Sequence, residues 1–177
     1  MTQTGHSITG AAIGVLAMPA VGSARLKAGV ILACIVLANI PDLRLPGWGH
    51  DRYDISHSLF VTLAAVGIVA LPLLSIRGLS KRLGGRAVVV AGATAWLSHL
   101  LLDTFYNHGA GLAMFWPISK ARLAMPIRWF ETATPLPHFD AHTARVWGIE
   151  VLSYGPLLIA AVVLRRAYRR RRAEATL

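Results

Sequence analysis

Across 177 residues the chain is 55% hydrophobic and only 15% charged, with a mean hydropathy of +0.54, which is too apolar for a water-soluble domain and points to one domain, residues 1–177, held in a membrane. A formal charge of +10 would suit nucleic acid, but the basic residues fall in short clusters between apolar runs rather than along a stripe, so they read as topology determinants and no nucleic-acid partner is expected. The single cysteine, Cys34, lies inside an apolar run, which excludes an intrachain disulfide and a thiolate metal site, so any metal must be held by His, Asp or Glu.

A spanning helix needs about 20 apolar residues, with roughly 17 to 25 tolerated. Residues 1–6 carry no basic stretch and no small-residue cleavage site follows, so the first apolar segment is expected to be retained as a helix. That segment, residues 8–21, is short and rich in Gly and Ala. The next, residues 28–40, is strongly apolar but also short. The pair is expected to form a hairpin through residues 22–27, packed against the longer helices by small residues such as Gly10, Ala11 and Gly14. Residues 59–76 and 87–102 meet the length criterion, the second once His99 and Asp103 are accepted as its outer end. Residues 104–145 differ in kind, mixing Gly109, Gly111, Pro117, Pro126, Pro135 and Pro137 with Trp116, Trp129 and Phe130, and read as a long loop of interfacial character. The last apolar run, residues 147–164, carries Glu150 near its start and leads into a basic tail, residues 165–177. The predicted fold is all-α: an integral membrane bundle of about five transmembrane helices with a long outer interfacial loop.

With five spans, Arg25, Lys27, Arg77, Lys81, Arg82 and Arg86 fall on the same side as Arg165, Arg166, Arg169, Arg170, Arg171 and Arg172, which is twelve of the eighteen basic residues. The other side receives Arg44, Arg52, Lys120, Arg122, Arg128 and Arg145, balanced by Asp42, Asp51, Asp54, Asp103, Glu131 and Asp140. The excess of Lys and Arg on cytoplasmic flanks then places the C-terminus inside and the N-terminus outside, in a multi-pass protein of a bacterial inner membrane. The tail arginines are expected at the anionic lipid surface. Trp48, Trp116, Trp129 and Trp147 fall on the outer side, as an interfacial aromatic belt would.

All seven histidines land at or near that outer face, although they are scattered in sequence. His6 opens the first helix, Asp42 ends the second, His57 begins the third, and His99 with Asp103 closes the fourth. His99 and Asp103 stand four apart, hence on one helix face, where both can reach a single ion. Taken singly, each has a plainer reading: Asp42 as a turn residue after Pro41, His57 as decoration beside an N-cap at Ser56, His6 as a terminal histidine, and His99 and Asp103 as partners inside the bundle. Together they put ligands from separate helix ends in a layer where an unpartnered charge costs several kcal/mol. His50, His108, His138 and His142 read as loop histidines. Glu150, a lone acid in a span, either faces the site or pairs with Arg145. Nitrogen and oxygen ligands without sulfur suit zinc first, then manganese or iron, and a metal that acidifies a bound water makes hydrolysis the natural chemistry. No Gly-x-Ser-x-Gly elbow, Walker loop or dinucleotide fingerprint is present.

The early His6, Asn39-Ile40-Pro41-Asp42, Ser56-His57-Ser58-Leu59, and His99-Leu100-Leu101-Leu102-Asp103 followed by Gly111 and Trp116-Pro117 resemble, in order and spacing, the LexA-regulated, membrane-bound metal-dependent hydrolase family. The likeness covers most of the chain up to about Arg128. Through it the chain is distantly similar to zinc-dependent phospholipases C and their nuclease relatives. The resemblance implies one to three zinc ions, with Asp42, His57, His99 and Asp103 sharing one and His6 joining Asp103 on another, and with Asp42 and Asp103 as the catalytic carboxylates. It implies hydrolysis of a phosphoester such as a phospholipid. Two departures stand out: the family often has a second acid where this chain has Arg44, and a histidine where it has Arg52. The competing reading is a non-enzymatic membrane protein, a metal or proton transporter or a scaffold. Against transport, the inner halves of the apolar runs carry almost no ionisable groups to form a path.

Overall fold

The structure, a computed structural model, describes residues 3–43, 54–107, 111–127, 129–133 and 140–175. It is helical: α1 (Gln3–Ala17), α2 (Ala24–Asn39) continued by a 3-10 turn (Ile40–Asp42), α3 (Leu59–Ser75), α4 (Arg77–Arg82), α5 (Arg86–Asp103) and α6 (Ala141–Glu174). Among the described residues no strand forms, and extended pairing is confined to the bridges Tyr106–Phe130 and Leu112–Leu123.

Local chemistry sets these boundaries. Pro19 and Gly22, the latter at φ +138°, lie beyond α1 where a helix cannot readily continue, so α1 ends at Ala17 and the first element sits nearer the N-terminus than residues 8–21. Ser23 caps α2 by accepting from Leu26 N at 3.2 Å, which starts that helix four residues earlier than residue 28. Pro41 has no N–H with which to continue the α-helical ladder, and the chain tightens into the 3-10 turn that carries Asp42. The N-cap of α3 is Ser58, which accepts from Val61 N at 3.4 Å, not the expected Ser56. Asp140 caps α6 by accepting from Thr143 N at 2.7 Å. From there α6 runs unbroken through the basic residues expected to form a separate tail, because arginine and alanine are good helix formers and no breaker follows Pro156.

α1 packs on α2, α5 and α6, and α5 also meets α2, α3 and α4, so α1 and α5 form the middle of the bundle. Small residues permit this. A Cβ on Gly10 would sit 2.6 Å from the Cys34 carbonyl oxygen, and one on Gly14 would sit 2.7 Å from Ile31 Cα. The two backbones therefore touch directly, and the helix facing Gly10 and Gly14 is α2 itself, while Ala11 is not among the buried residues. At the far end, Arg165 of α6 donates to the Leu16 and Met18 carbonyls, satisfying acceptors at the C-terminal end of α1.

Five spans were expected; among the described residues two helices qualify by length and composition, Ala24–Asp42 and Ala141–Glu174. The third apolar helix, Leu59–Ser75, has 17 residues. α1 has 15, and the 18 residues of α5 are diluted by Arg86, Ser98, His99 and Asp103.

Candidate metal centre

The chain direction alternates so that several chemically distinctive residues share one end of the bundle. His6 lies in the first turns of α1, Asp42 just after α2, His57 just before α3, and His99 and Asp103 in the last turns of α5. His6, His57, His99 and Asp103 are each at most 1% exposed. The Asp42 side chain, at 13%, is the most open of the set.

One ligand atom from each of Asp42, His57, His99 and Asp103 lies within 4.8 Å of the other three. His57 Nε2 is 3.2 Å from Asp103 Oδ2 and 3.4 Å from Asp42 Oδ1; His99 Nε2 is 3.4 Å and 3.6 Å from the same two oxygens. The two imidazole Nε2 atoms are 3.1 Å apart. His99 Nδ1 stands 2.8 Å from the Ala38 carbonyl oxygen, an acceptor only, so Nδ1 carries a proton, and the tautomer this selects turns the Nε2 lone pair into the cluster. His57 is oriented on its far side by Ser56, whose Oγ lies 2.9 Å from Nδ1.

The donor set therefore converges two carboxylate oxygens and an imidazole lone pair on a fourth nitrogen. A single proton on His57 Nε2 cannot be shared well among three acceptors, whereas one divalent cation satisfies all four atoms. Burial alone would lower the His57 imidazole; hydrogen bonds to Asp103 and Asp42 and their charges outweigh it and push it up to about 9. The same negative field would favour a cation. By chemistry and spacing, the four residues fit a metal ion bound by nitrogen and oxygen.

His6 extends the cluster. Its ring stacks on His99 with centroids 3.9 Å apart, and its Nε2 is 3.1 Å from Asp103 Oδ1. Asp103 thus directs one oxygen toward His6 and the other toward His57 and His99, the disposition of a carboxylate able to bridge two ions. Behind His6, Glu150 Oε2 accepts from Gly5 N at 3.0 Å, meeting one of the N–H groups that the first turn of α1 leaves without a helical partner. Glu150 is fully buried and bonds as well to the Tyr106 hydroxyl, which in turn bonds to Tyr154. Phe130 stacks on both tyrosines, at 5.0 and 5.4 Å. Burial first, then the Glu150 charge, raises the Tyr106 phenol far above its ordinary value, so it is a fixed donor.

The irregular segment after α5 is fastened to the same end. Ser58 Oγ donates to the Trp116 carbonyl at 2.5 Å, Leu59 N to Met114 O at 2.9 Å, and Met125 N to Thr104 O at 3.0 Å. Gly111, at φ +94°, lets this segment fold on itself, since a Cβ there would lie 2.6 Å from Leu123 O.

Elsewhere, Asp54 forms a 3.1 Å pair with Arg122. His142 is exposed, 3.1 Å from Thr132 O and 3.6 Å from Glu131. Glu150 faces α1 behind the site, and Arg145 is exposed. His50, His108 and His138, with Arg44, Trp48 and Arg52, lie outside the described residues. Sequence reasoning missed Tyr106, Tyr154, Gly5 and the Ala38 carbonyl, because each acts through a tertiary contact that leaves no local motif.

A family model described as YdjM inner membrane protein matches residues 1–173. No curated protein and no solved structure matches.

Proposed function

The chain belongs to the YdjM inner membrane protein family, and from that premise we propose that it is a membrane-bound, metal-dependent hydrolase of a phosphoester such as a phospholipid. The observation that carries this reading is the convergence of Asp42, His57, His99 and Asp103 within 4.8 Å at one buried end of the bundle. On this reading those four residues hold the first ion, zinc by preference and manganese otherwise, and His6 with the second oxygen of Asp103 contributes to another.

When bound, such an ion supplies Lewis-acid activation of a phosphoryl oxygen and acidifies a coordinated water. The protein contributes the rest. The Ala38 carbonyl and Ser56 hydroxyl orient the two central imidazoles, Glu150 holds the turn that carries His6, and burial excludes bulk water from three of the four central ligands. On this reading Asp42 and Asp103 are the catalytic carboxylates, supplying the negative charge that would hold the ion at the reacting centre, and Asp42 alone of the four has a partly exposed side chain.

We further propose that α1, α2, α3, α5 and α6 lie together in the inner membrane as about five spans, with the site at the periplasmic surface and the C-terminal end of α6 in the cytoplasm. Helix direction supports this, since the His-Asp layer and the Arg-rich ends, including Arg25, Arg82, Arg86 and Arg165, fall at opposite ends of the bundle. A recessed site at headgroup depth suits a lipid phosphate better than a freely diffusing ester.

The reading is tested on detergent-purified protein by elemental analysis and by release of headgroup or phosphate from defined phospholipid vesicles. At least one zinc or manganese per chain, and turnover lost on chelation and restored by the metal, is expected. Folded protein that takes up no divalent ion would overturn it.

A further inference from the structure

We propose that the groove between α2, α3 and α5 binds an anionic phospholipid, with an acyl chain along the groove and the phosphate held by Arg25 and Arg82. The site is separate from the His-Asp cluster and does not depend on what that cluster catalyses.

Both α2 and α3 pack on α5, but they do not pack on each other. The space between them is a cavity of about 390 Å³ whose floor is α5, at Val89, Gly92 and Trp96, and whose walls include Ala33 of α2 and Val69 of α3. Gly29 lines it too, and a Cβ at Gly29 would meet nothing within 4 Å, so the groove is open beside the α2 backbone. A volume in this range accommodates a small-molecule segment, and an apolar lining selects hydrocarbon.

Polarity is confined to one end. Arg25 in the first turn of α2 and Arg82 at the end of α4 line the same cavity, and both are exposed. Among the described residues neither takes part in an ion pair. An apolar channel that terminates at two guanidinium groups complements one molecule with a hydrocarbon tail and a phosphate head. Two arginines also offer the forked donors that phosphate oxygens accept. A zwitterionic lipid would fill the groove equally well but would present the arginines with a headgroup of no net charge. The preference for negative lipid is therefore expected to reside in Arg25 and Arg82, and the affinity for hydrocarbon in the groove.

The test uses the full chain in phosphatidylcholine nanodiscs doped with phosphatidylglycerol that carries a photoreactive acyl chain, with cross-links mapped by peptide mass spectrometry. Cross-links are expected within residues 29–37 and 66–73. Unlabelled phosphatidylglycerol should compete roughly 30-fold better than phosphatidylcholine, given two charges near the membrane surface. The double variant Arg25→Gln/Arg82→Gln should bring the two competitors near parity, and Gly29→Leu should remove the cross-links by filling the groove. Thermal unfolding of each variant separates site loss from misfolding. The arginine variants alter only exposed side chains, so they decide the matter even should Gly29→Leu fail to fold. Cross-links spread evenly around the bundle, equal competition by the two lipids in the wild type, or an unchanged preference in the double variant would each overturn the proposal. So would lipid-independent coupling of these positions to another membrane helix.

Discussion

His99 shows how a single backbone oxygen can decide the chemistry of a side chain. The Ala38 carbonyl fixes its tautomer, Ser56 orients His57, and Asp103 divides its two oxygens between His6 on one side and His57 and His99 on the other. Asp103→Ala should therefore do the most damage, abolishing metal uptake and lowering stability by about 3–5 kcal/mol, since it strips a buried carboxylate from three imidazoles. Metal content and the thermal midpoint of the same preparation measure both effects. His6→Ala leaves the four-residue set intact and should reduce stoichiometry without emptying the centre. Ser56→Ala removes only the group behind His57 and should weaken metal affinity by roughly 10- to 100-fold, read by chelator competition. At this scale the sequence was informative where spacing is chemistry: four residues of helix bring His99 and Asp103 onto one face, and their carboxylate and imidazole lie 3.4 Å apart. It was silent on Ala38, Tyr106 and Gly5, whose roles come from helices meeting in space.

Among the elements, the hairpin of α1 and α2 was legible from two short apolar runs joined by few residues, but its small residues were assigned to the wrong neighbour: Gly10 and Gly14 meet Cys34 and Ile31 of α2 rather than the longer helices. Element ends were less legible, because capping decides them: Ser23 lengthened α2, Ser58 rather than Ser56 started α3, and Asp140 moved the start of α6 to Ala141. The contact surfaces predict opposite outcomes for two glycine substitutions. Gly14→Val would force its new atoms into the Ile31 backbone and should destabilise by about 1–3 kcal/mol. Gly148→Ala, in α6 where a Cβ meets nothing within 4 Å, should be neutral or stabilising by up to about 1 kcal/mol through helix propensity. Thermal unfolding of both in one detergent compares them. Equal destabilisation by the two would contradict the close packing of α1 on α2.

For the whole molecule, the arrangement of charge says more than any span taken alone. Helices of 15 to 18 residues are marginal as independent spans, yet α1 packs with α2 and α6, α5 with α1 and α2, and α3 with α5, and helix–helix contact can shelter a polar end such as His99 and Asp103 that lipid would not tolerate. The Lys- and Arg-rich ends of the helices gather opposite the His-Asp layer, so the orientation of the protein decides which membrane face that layer meets. Single cysteines read that orientation directly. The native Cys34 is 1% exposed and can remain in place, because a membrane-impermeant thiol reagent should not reach it. Lys120→Cys, exposed in the segment fastened to the site end, should label on intact cells. Gly84→Cys, between α4 and α5 at the opposite end, should label only once the membrane is permeabilised, as should Arg170→Cys near the end of α6. The positive-φ backbone at Gly84 strains any side chain, so Lys81→Cys in the adjacent α4 serves as the independent second position for that end. The reverse pattern, with Lys81→Cys and Arg170→Cys labelled from outside and Lys120→Cys protected, would turn the His-Asp layer toward the cytoplasm. On the proposed hydrolase reading, the phosphoester would then have to come from the inner leaflet, while the prediction of metal at Asp42, His57, His99 and Asp103 would stand unchanged.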